Sequence, residues 1–423
     1  YECTPLQKGM LFHAIHQPDT SLYIEQVKFK LSEGLDASCF QKAWERTINR
    51  HSALRTTFHW KESEKLLQVV HKKIDIVWEN KEWNQHAEHS SLTIDQYAEK
   101  LQKEGFDVSK GSPMKFHLIR LNEGYQFIWT FHHLLMDGWS MPLVLRDVIL
   151  CYQSLKRNEL PELLGAPQFH EYISWIGRQD IEHSKQFFKE KLKGFVEPSY
   201  LCGSHYQHRQ VTQDQHKDII ISDEKRKSLE ELARKQEVTL FSILQGLWVI
   251  LINSYTDQED VVLGSVMSGR QPDIRGAESI VGPFINTLPI RVRMKSSNTL
   301  LSVIKDVQKE QSELSQYQHT PLYEVQKVSE LDSDKPLFDS IIVFENYPFD
   351  FNMFKEGNIG ISISDFQVEE KSDFPLSLAI IPFEDALVLR LHFDSSVITV
   401  TEIEKMLDRM ARLVEICKAC GAD

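Results

Sequence analysis

No apolar run in this sequence approaches the roughly 20 residues needed to span a bilayer. The longest candidate, residues 241–252, is short and interrupted by Gln245. A concentrated basic stretch is also lacking, and the formal net charge is −13. That balance excludes nucleic acid as the main partner, because a phosphate backbone is met by clustered Lys and Arg. No secretory signal opens the chain. Tyr1-Glu2-Cys3-Thr4, without an initiator methionine, is expected to begin inside a longer polypeptide. Cysteine is scarce: Cys3, Cys39, Cys151, Cys202, Cys417 and Cys420 are the six among 423 residues. Their scatter fits reduced thiols in a cytoplasm. Cys417-x-x-Cys420 has the spacing of half a zinc site, but no second ligand pair accompanies it, so no metal is assigned.

At 423 residues the chain exceeds what one hydrophobic core usually serves, and two domains are expected. Pro5 in a first turn and the shared face of Leu6, Met10 and Leu11 predict a helix from Thr4. Phe40, Trp44 and Ile48 mark a second helix over 36–49. A strand over 54–60 pairs with 66–70, a helix covers 92–104, and 114–121 forms a hairpin with 125–136 through Asn122-Glu123-Gly124. One long amphipathic helix is predicted over 169–192, with the lobe boundary inside it near 180. The second half repeats this order loosely. Helices are expected to Glu237 and over 240–255 and 400–413, with strands over 260–267, 286–292, 340–345, 376–381 and 386–393. Two α/β sandwich lobes follow, residues 1–180 and 181–423.

The stretch that organises the chain is Tyr125-Gln126-Phe127-Ile128-Trp129-Thr130-Phe131-His132-His133-Leu134-Leu135-Met136-Asp137-Gly138-Trp139-Ser140. It opens as an uncharged β-type run and breaks at the turn pair Asp137-Gly138. A helix-periodic segment follows. A potential base, an orienting carboxylate and the N–H groups of a helix start therefore lie within a few residues. Adjacent histidines alternate across a strand, so only one faces a given side.

Taken together, the motifs resemble those of condensation domains of non-ribosomal peptide synthetases. Thr4-Pro5-Leu6-Gln7 through Phe12-His13 is similar to the first motif, and Arg50-His51-Ser52-Ala53-Leu54-Arg55-Thr56-Thr57-Phe58 to the second. His132-His133 through Ser140 resembles the third, and Tyr172-Ile173-Ser174-Trp175 the fourth. Val281-Gly282-Pro283-Phe284-Ile285-Asn286-Thr287-Leu288-Pro289-Ile290-Arg291 resembles the fifth, and Gln318-His319-Thr320-Pro321-Leu322 the sixth. Pro336-Leu337-Phe338-Asp339 followed by Val343-Phe344-Glu345-Asn346 resembles the seventh, although Asp334-Lys335 stands where the family has Arg-Asn. The resemblance covers nearly the whole chain. It implies two chloramphenicol-acetyltransferase-like lobes in a V-shaped pseudo-dimer with a central tunnel. A floor loop near 281–288 and a latch near 369–375 would cross between the lobes.

The implied reaction is amide formation between a donor peptidyl or aminoacyl thioester and the amine of an acceptor aminoacyl thioester. The partners it implies are donor and acceptor carrier proteins, whose phosphopantetheine arms bring the substrates, and an adjacent adenylation domain. The domain itself would bind no cofactor, metal, nucleic acid or membrane. A thioester is already activated, so no nucleophilic Ser or Cys is required. An imidazole, whose unperturbed pKa is near 6.5, suits either removal of a proton from the amine or its positioning by a hydrogen bond, and His133 is the candidate. His132 would point the other way and be structural. Asp137 would orient the loop through a charge-assisted bond to an arginine, with Arg270, Arg50 and Arg55 as candidates. Gly138 could polarise a carbonyl through its N–H or simply make the turn. Trp139 could pack or line a wall. Asn346 stands where the family often has a substrate-positioning amide, and could equally be a strand-end residue.

Epimerization domains share the His-His-x-x-x-Asp frame, but Asn286-Thr287-Leu288-Pro289 and Asp137-Gly138-Trp139 resemble condensation. Heterocyclizing relatives carry Asp in place of the first His, and plant-type acyltransferases add an Asp-Phe-Gly-Trp motif absent here. An inactive docking module is the alternative from another class. Within the family, Pro5-Leu6-Gln7-Lys8-Gly9-Met10-Leu11-Phe12-His13 resembles the subgroup that joins a D-configured donor to an L-acceptor.

Overall fold

Thr4 and Gln7 start the first helix by exchanging bonds. Gln7 N–H donates to Thr4 Oγ1 at 3.2 Å, and Thr4 N–H donates to Gln7 Oε1 at 2.9 Å, which satisfies two otherwise orphaned donors. This helix, α1, is Pro5–His16. The computed structural model describes residues 1–16, 21–60, 65–83, 92–161, 163, 165–203, 214–271, 273–332, 335–346, 361–370 and 373–421, with side chains to 418. Strand β1, Ile24–Leu31, comes next. Helix α2, Ala37–Arg50, is capped by the Asp36 carboxylate, which accepts from Cys39 N–H. The remaining elements of this part are β2 (Thr56–His59), β3 (Leu67–Val70), β4 (Val77–Glu82), α3 (Ile94–Lys103), β5 (Met114–Arg120), β6 (Tyr125–His132), α4 (Ser140–Lys156) and α5 (His170–Ile176).

After these come α6 (Ile181–Leu192), β7 (Asp214–Ser222), α7 (Asp223–Gln236), α8 (Leu240–Thr256), β8 (Asp260–Met267) and β9 (Asn286–Arg293). Then follow α9 (Leu300–Leu314), α10 (Leu322–Val328), β10 (Ser340–Phe344), β11 (Ile363–Glu369), β12 (Leu376–Pro382), β13 (Ala386–Asp394) and α11 (Val400–Gly421).

The chain folds as two compact units. The first comprises Tyr1–Gln179, Arg270–Phe284 and Tyr347–Lys371; the second comprises Asp180–Gly269, Ile285–Asn346 and Ser372–Asp423. Two continuous stretches, 1–180 and 181–423, therefore do not describe the division, because two later pieces group with the first unit. The helix expected over 169–192 is also two helices. It stops at Gly177, and Asp180 opens a new one by accepting from His183 N–H at 3.0 Å. A strong N-cap wins over continued amphipathic periodicity.

The first unit is built on a five-stranded sheet of order β11-β1-β6-β5-β4, beside a two-stranded β2-β3 ribbon. The β1–β6 register sets Val27 opposite Trp129 and Phe29 opposite Phe127. These side chains share one face, where Phe40 and Trp44 of α2 pack against Phe116 and Phe127. Each of these aromatics is buried, and burial of such rings is the main stabilising term. Helix α3 covers the other face, with Ala98 and Leu101 against Ile119 and Ile128.

The second unit has a six-stranded sheet of order β7-β13-β12-β10-β8-β9, in which β10 runs parallel to both neighbours. Helix α8 is buried against it through Leu244, Leu247, Trp248 and Leu251. Among the described residues no single helix is long and apolar enough to cross a membrane; α7 and α8 reach that composition only as a pair bent by 100°.

Candidate functional site

The strand expected to run to Met136 ends at His132. Ladder pairing stops there, opposite Ile24, and the chain turns. His133 N–H donates to Tyr23 C=O at 2.8 Å and Leu135 N–H to His132 C=O at 3.0 Å. The two histidines thus leave the strand end in different settings.

His132 is buried, and its Nδ1 accepts from Leu134 N–H at 3.1 Å. Burial, then the neighbouring His133, pushes its pKa down to about 3. It is a neutral structural imidazole with its proton on Nε2. His133 retains 13% of its side-chain exposure. Its Nδ1 lies 2.6 Å from the Met136 carbonyl oxygen. A carbonyl only accepts, so Nδ1 carries the proton and the lone pair of the neutral ring sits on Nε2.

Asp137 is completely buried. Its Oδ1 accepts from Ser140 N–H at 3.0 Å, Ser140 Oγ–H at 2.7 Å and Arg270 Nη2 at 3.0 Å, and its Oδ2 accepts from Phe284 N–H at 3.0 Å. Ser140 Oγ also accepts from Gly282 N–H at 3.1 Å. Arg270 donates further to Ala277 C=O and Ile280 C=O, and its guanidinium lies over the rings of Phe284 and Trp139. Asp137 and Arg270 thereby fasten the 270–284 segment to the turn that opens α4. Gly282 completes the fit. A Cβ there would stand 2.1 Å from Phe169 Cδ2, so only glycine admits this approach.

Two residues the sequence reading did not single out complete the site. Glu25, on β1, brings its Oε1 within 3.3 Å of His133 Nδ1. Burial, then the charge of Asp137, raises its carboxyl well above the usual range. Glu370 follows β11. Burial, then the Glu25 and Asp137 charges, pushes it up to about 8 against the opposing pull of His133. Glu370 keeps part of its surface exposed, and solvent tempers that rise. A lone Glu in Tyr23-Ile24-Glu25-Gln26 has no motif around it, and its partner lies 345 positions further along the sequence. No local pattern signals either one.

A family model for the condensation domain matches residues 1–420. A linear gramicidin synthase from Brevibacillus parabrevis is 34% identical over 98% of this chain and 8% of its own length. Bacitracin synthase 3 of Bacillus licheniformis is 31% identical over 98% of this chain and 6% of its own. The chain belongs to the condensation domain family. It spans about a twelfth of the gramicidin synthase, as the 8% share shows. The fold agrees: the X-domain from teicoplanin biosynthesis superposes with a TM-score of 0.81 at 19% identity, covering 100% of this chain and 95% of that one.

Other motif residues of this condensation domain serve its frame. Gln7, from the first motif, donates to the Leu134 carbonyl at 3.2 Å and so ties α1 to the histidine turn. Of the three arginines considered for Asp137, Arg270 makes the contact. Arg50 instead donates to Asp147 at 2.7 Å, beside His51, and Arg55 donates to the His71 carbonyl. A buried carboxylate on α4 outcompetes Asp137 for Arg50 because α2 packs directly on α4. Gly138 is buried in the turn. Trp139 is partly buried and donates from Nε1 to Glu278 C=O at 3.1 Å, which makes it a packing residue on the 270–284 segment. Asn346 belongs to the second unit, exposed, two residues beyond β10. From the fifth motif, Asn286 donates to the carbonyls of Gln318 and Thr320 in the sixth. Asp334 of the seventh, residues 371–372 of the latch stretch and the Cys420 side chain lie outside the described residues. No cluster that could hold a metal ion occurs among the described residues.

Proposed function

We propose that this condensation domain forms a peptide bond between a donor peptidyl or aminoacyl thioester and the amine of an acceptor aminoacyl thioester. Both are carried on phosphopantetheine arms of partner carrier proteins, and an adenylation domain of the same synthetase supplies the acceptor residue. The relatives named as gramicidin, surfactin and bacitracin synthases support this setting. The observation that carries the chemistry is the 2.6 Å contact from His133 Nδ1 to Met136 C=O. It fixes the ring and leaves Nε2 as the acceptor at a partly exposed position.

The amine attacks the donor carbonyl, a C–N bond forms, and the adduct's nitrogen carries a positive charge. His133 Nε2 accepts its proton or holds the amine in line for attack; both roles use the same lone pair. The C–S bond then breaks, and the donor arm leaves as a thiol after taking up that proton. Asp137 and Arg270 hold the turn, and Gly138 presents the backbone at the helix start. The first-motif helix supports a D-configured donor. Gly9 is exposed on α1, and a Cβ there would meet nothing within 4 Å, so helix packing does not require the glycine.

The test is a single-turnover reaction between two loaded carrier proteins. His133→Ala is expected to slow condensation by about 10²–10⁴-fold with an unchanged circular dichroism spectrum. Undiminished turnover with a slow acceptor would remove His133 from the chemistry.

A further inference from the structure

The carboxyl groups beside His133 have no part in the mechanism above, and their placement is specific. The β1–β11 ladder pairs Gln26 with Glu369 and Val27 with Val368. The ladder ends at Gln26 and Glu369, with Glu25 the residue before that position on β1 and Glu370 the residue after it beyond β11, so the two flank the same end of the ladder. Neighbouring like charges repel across a ladder. Glu25 is 5% exposed and its Oε1 stands 3.3 Å from His133 Nδ1. Two like charges at one ladder end make ionising both costly, and both carboxyls are pushed above their ordinary range, first by burial, with the Glu25 charge also acting on Glu370.

We infer that Glu25 and Glu370 form a carboxyl pair holding one proton and one negative charge, and that this pair is a positioning device for His133. The inference deepens the condensation reading and rests on it for the use to which the histidine is put. The single charge faces the Nδ1–H edge of the ring. When Nε2 takes a proton, the imidazolium is held by Met136 C=O and by the pair's charge. When Nε2 gives the proton up, the pair still fixes the tautomer. Sharing one proton keeps that charge at one across a wide pH range. Two full charges would grip the imidazolium too tightly to release its proton to the departing thiol.

The other groups around the ring do not substitute for the pair. His132, on β6, is neutral, and its Nδ1 lone pair is occupied by Leu134 N–H. Asp137 is paired to Arg270 across the turn. Tyr23, whose carbonyl takes the His133 N–H, stacks on His132 at 6.4 Å and has His13 of α1 at 6.0 Å. Lys28 of β1 is engaged by Glu369 and Asp95.

The experiment is an NMR titration of the isolated domain with labelled histidine, the His133 signal being identified by its loss in His133→Gln. Glu25→Gln, Glu370→Gln and the double variant are compared with the unsubstituted protein. In each single variant the remaining carboxyl takes over the charge, so the His133 titration moves little. In the double variant the charge is gone, and the titration moves to lower pH by about one unit or more. A double variant that titrates like the parent overturns the inference. So do two single shifts that simply add up to the double one, since the carboxyls would then be independent. The acid limb of the single-turnover rate profile is expected to move with the NMR titration. Because the titration uses no substrate, a shifted titration with an unshifted rate profile would sink the condensation role of His133 while leaving the pair standing. A shift in neither removes the pair.

Discussion

Asp137→Ala is the most searching perturbation of this site. The carboxylate is wholly buried, and the Arg270 side chain is only 4% exposed. Truncation leaves the guanidinium without its counter-charge in a place water does not reach. Breaking a buried pair from one side costs about 3–5 kcal/mol. Phe284 N–H loses its acceptor in the same step, whereas Ser140 N–H keeps the Asp137 carbonyl at 3.0 Å; the Phe284 loss works in the same direction but does not add independently. For a unit of roughly 150–250 residues, each kcal/mol moves Tm by about 2–4 °C. The expected loss is therefore roughly 6–20 °C, read by circular dichroism or by urea unfolding. Arg270→Met on its own strands the buried Asp137 carboxylate instead, but should cost less, because Ser140 N–H, Ser140 Oγ–H and Phe284 N–H still donate to that carboxylate. Asp137→Ala with Arg270→Met should recover part of the loss, giving a coupling that only a direct pair produces. A Tm within about 2 °C of the parent, together with lost condensation, would refute the reasoning and make Asp137 a participant in the chemistry.

His132 supplies a pH signature. Its pKa falls to about 3 in the fold from an unfolded value near 6.5, so the unfolded chain binds the extra proton between these limits and stability falls as pH drops through that window. His132→Asn keeps an acceptor for Leu134 N–H and should flatten the acid limb of urea stability by up to about 1.4 kcal/mol per pH unit; superimposable limbs would refute this. Gly9→Ala should stabilise the domain by about 0.5–1 kcal/mol, since an exposed mid-helix glycine gains from alanine. The same variant, assayed with D- and L-terminal donors on a carrier that cannot be epimerized, should narrow the preference for the D-donor. Faster turnover of the L-donor by the parent protein would overturn the donor assignment.

Legibility in the sequence followed the physics of each element. Strand β8 reads at its full length because Val261, Val262 and Leu263 sit in a continuous apolar run. Strand β1 escapes because it carries Glu25, Gln26, Lys28 and Lys30. Each has a reason only tertiary structure supplies. Gln26 reaches Ala98 C=O and Thr130, Lys28 pairs with Glu369 and Asp95, and Lys30 pairs with Asp365. Strand β11 escapes for the same reason: its partner lies more than 330 residues away along the chain. At the site, the motif residues clustered in 132–140 could be read locally. Arg270 could be nominated but not chosen over Arg50 and Arg55, because nothing local distinguishes three arginines until Asp147 is seen to take one of them.

The motif does not work as one relay. In a Ser-His-Asp triad the carboxylate orients the imidazole. Here the Asp137 oxygens are taken up by Ser140, Phe284 and Arg270, and the task of orienting His133 falls to two backbone carbonyls, Tyr23 for its N–H and Met136 for its Nδ1. Tyr23 takes a left-handed backbone, φ 61°, to bring its carbonyl there, a conformation that costs a non-glycine residue of the order of 1 kcal/mol. Such a cost persists only where surrounding contacts impose it, and the contact it secures is the one at which β6 ends and the histidine leaves the sheet. Carbonyl anchors set direction without adding a full charge beside the ring. Charge enters from the Glu25 side instead, on a different strand, so frame and electrostatics rest on separate residues. Disturbing Asp137 should therefore appear in the stability of the turn, and disturbing Glu25 and Glu370 in the protonation of His133.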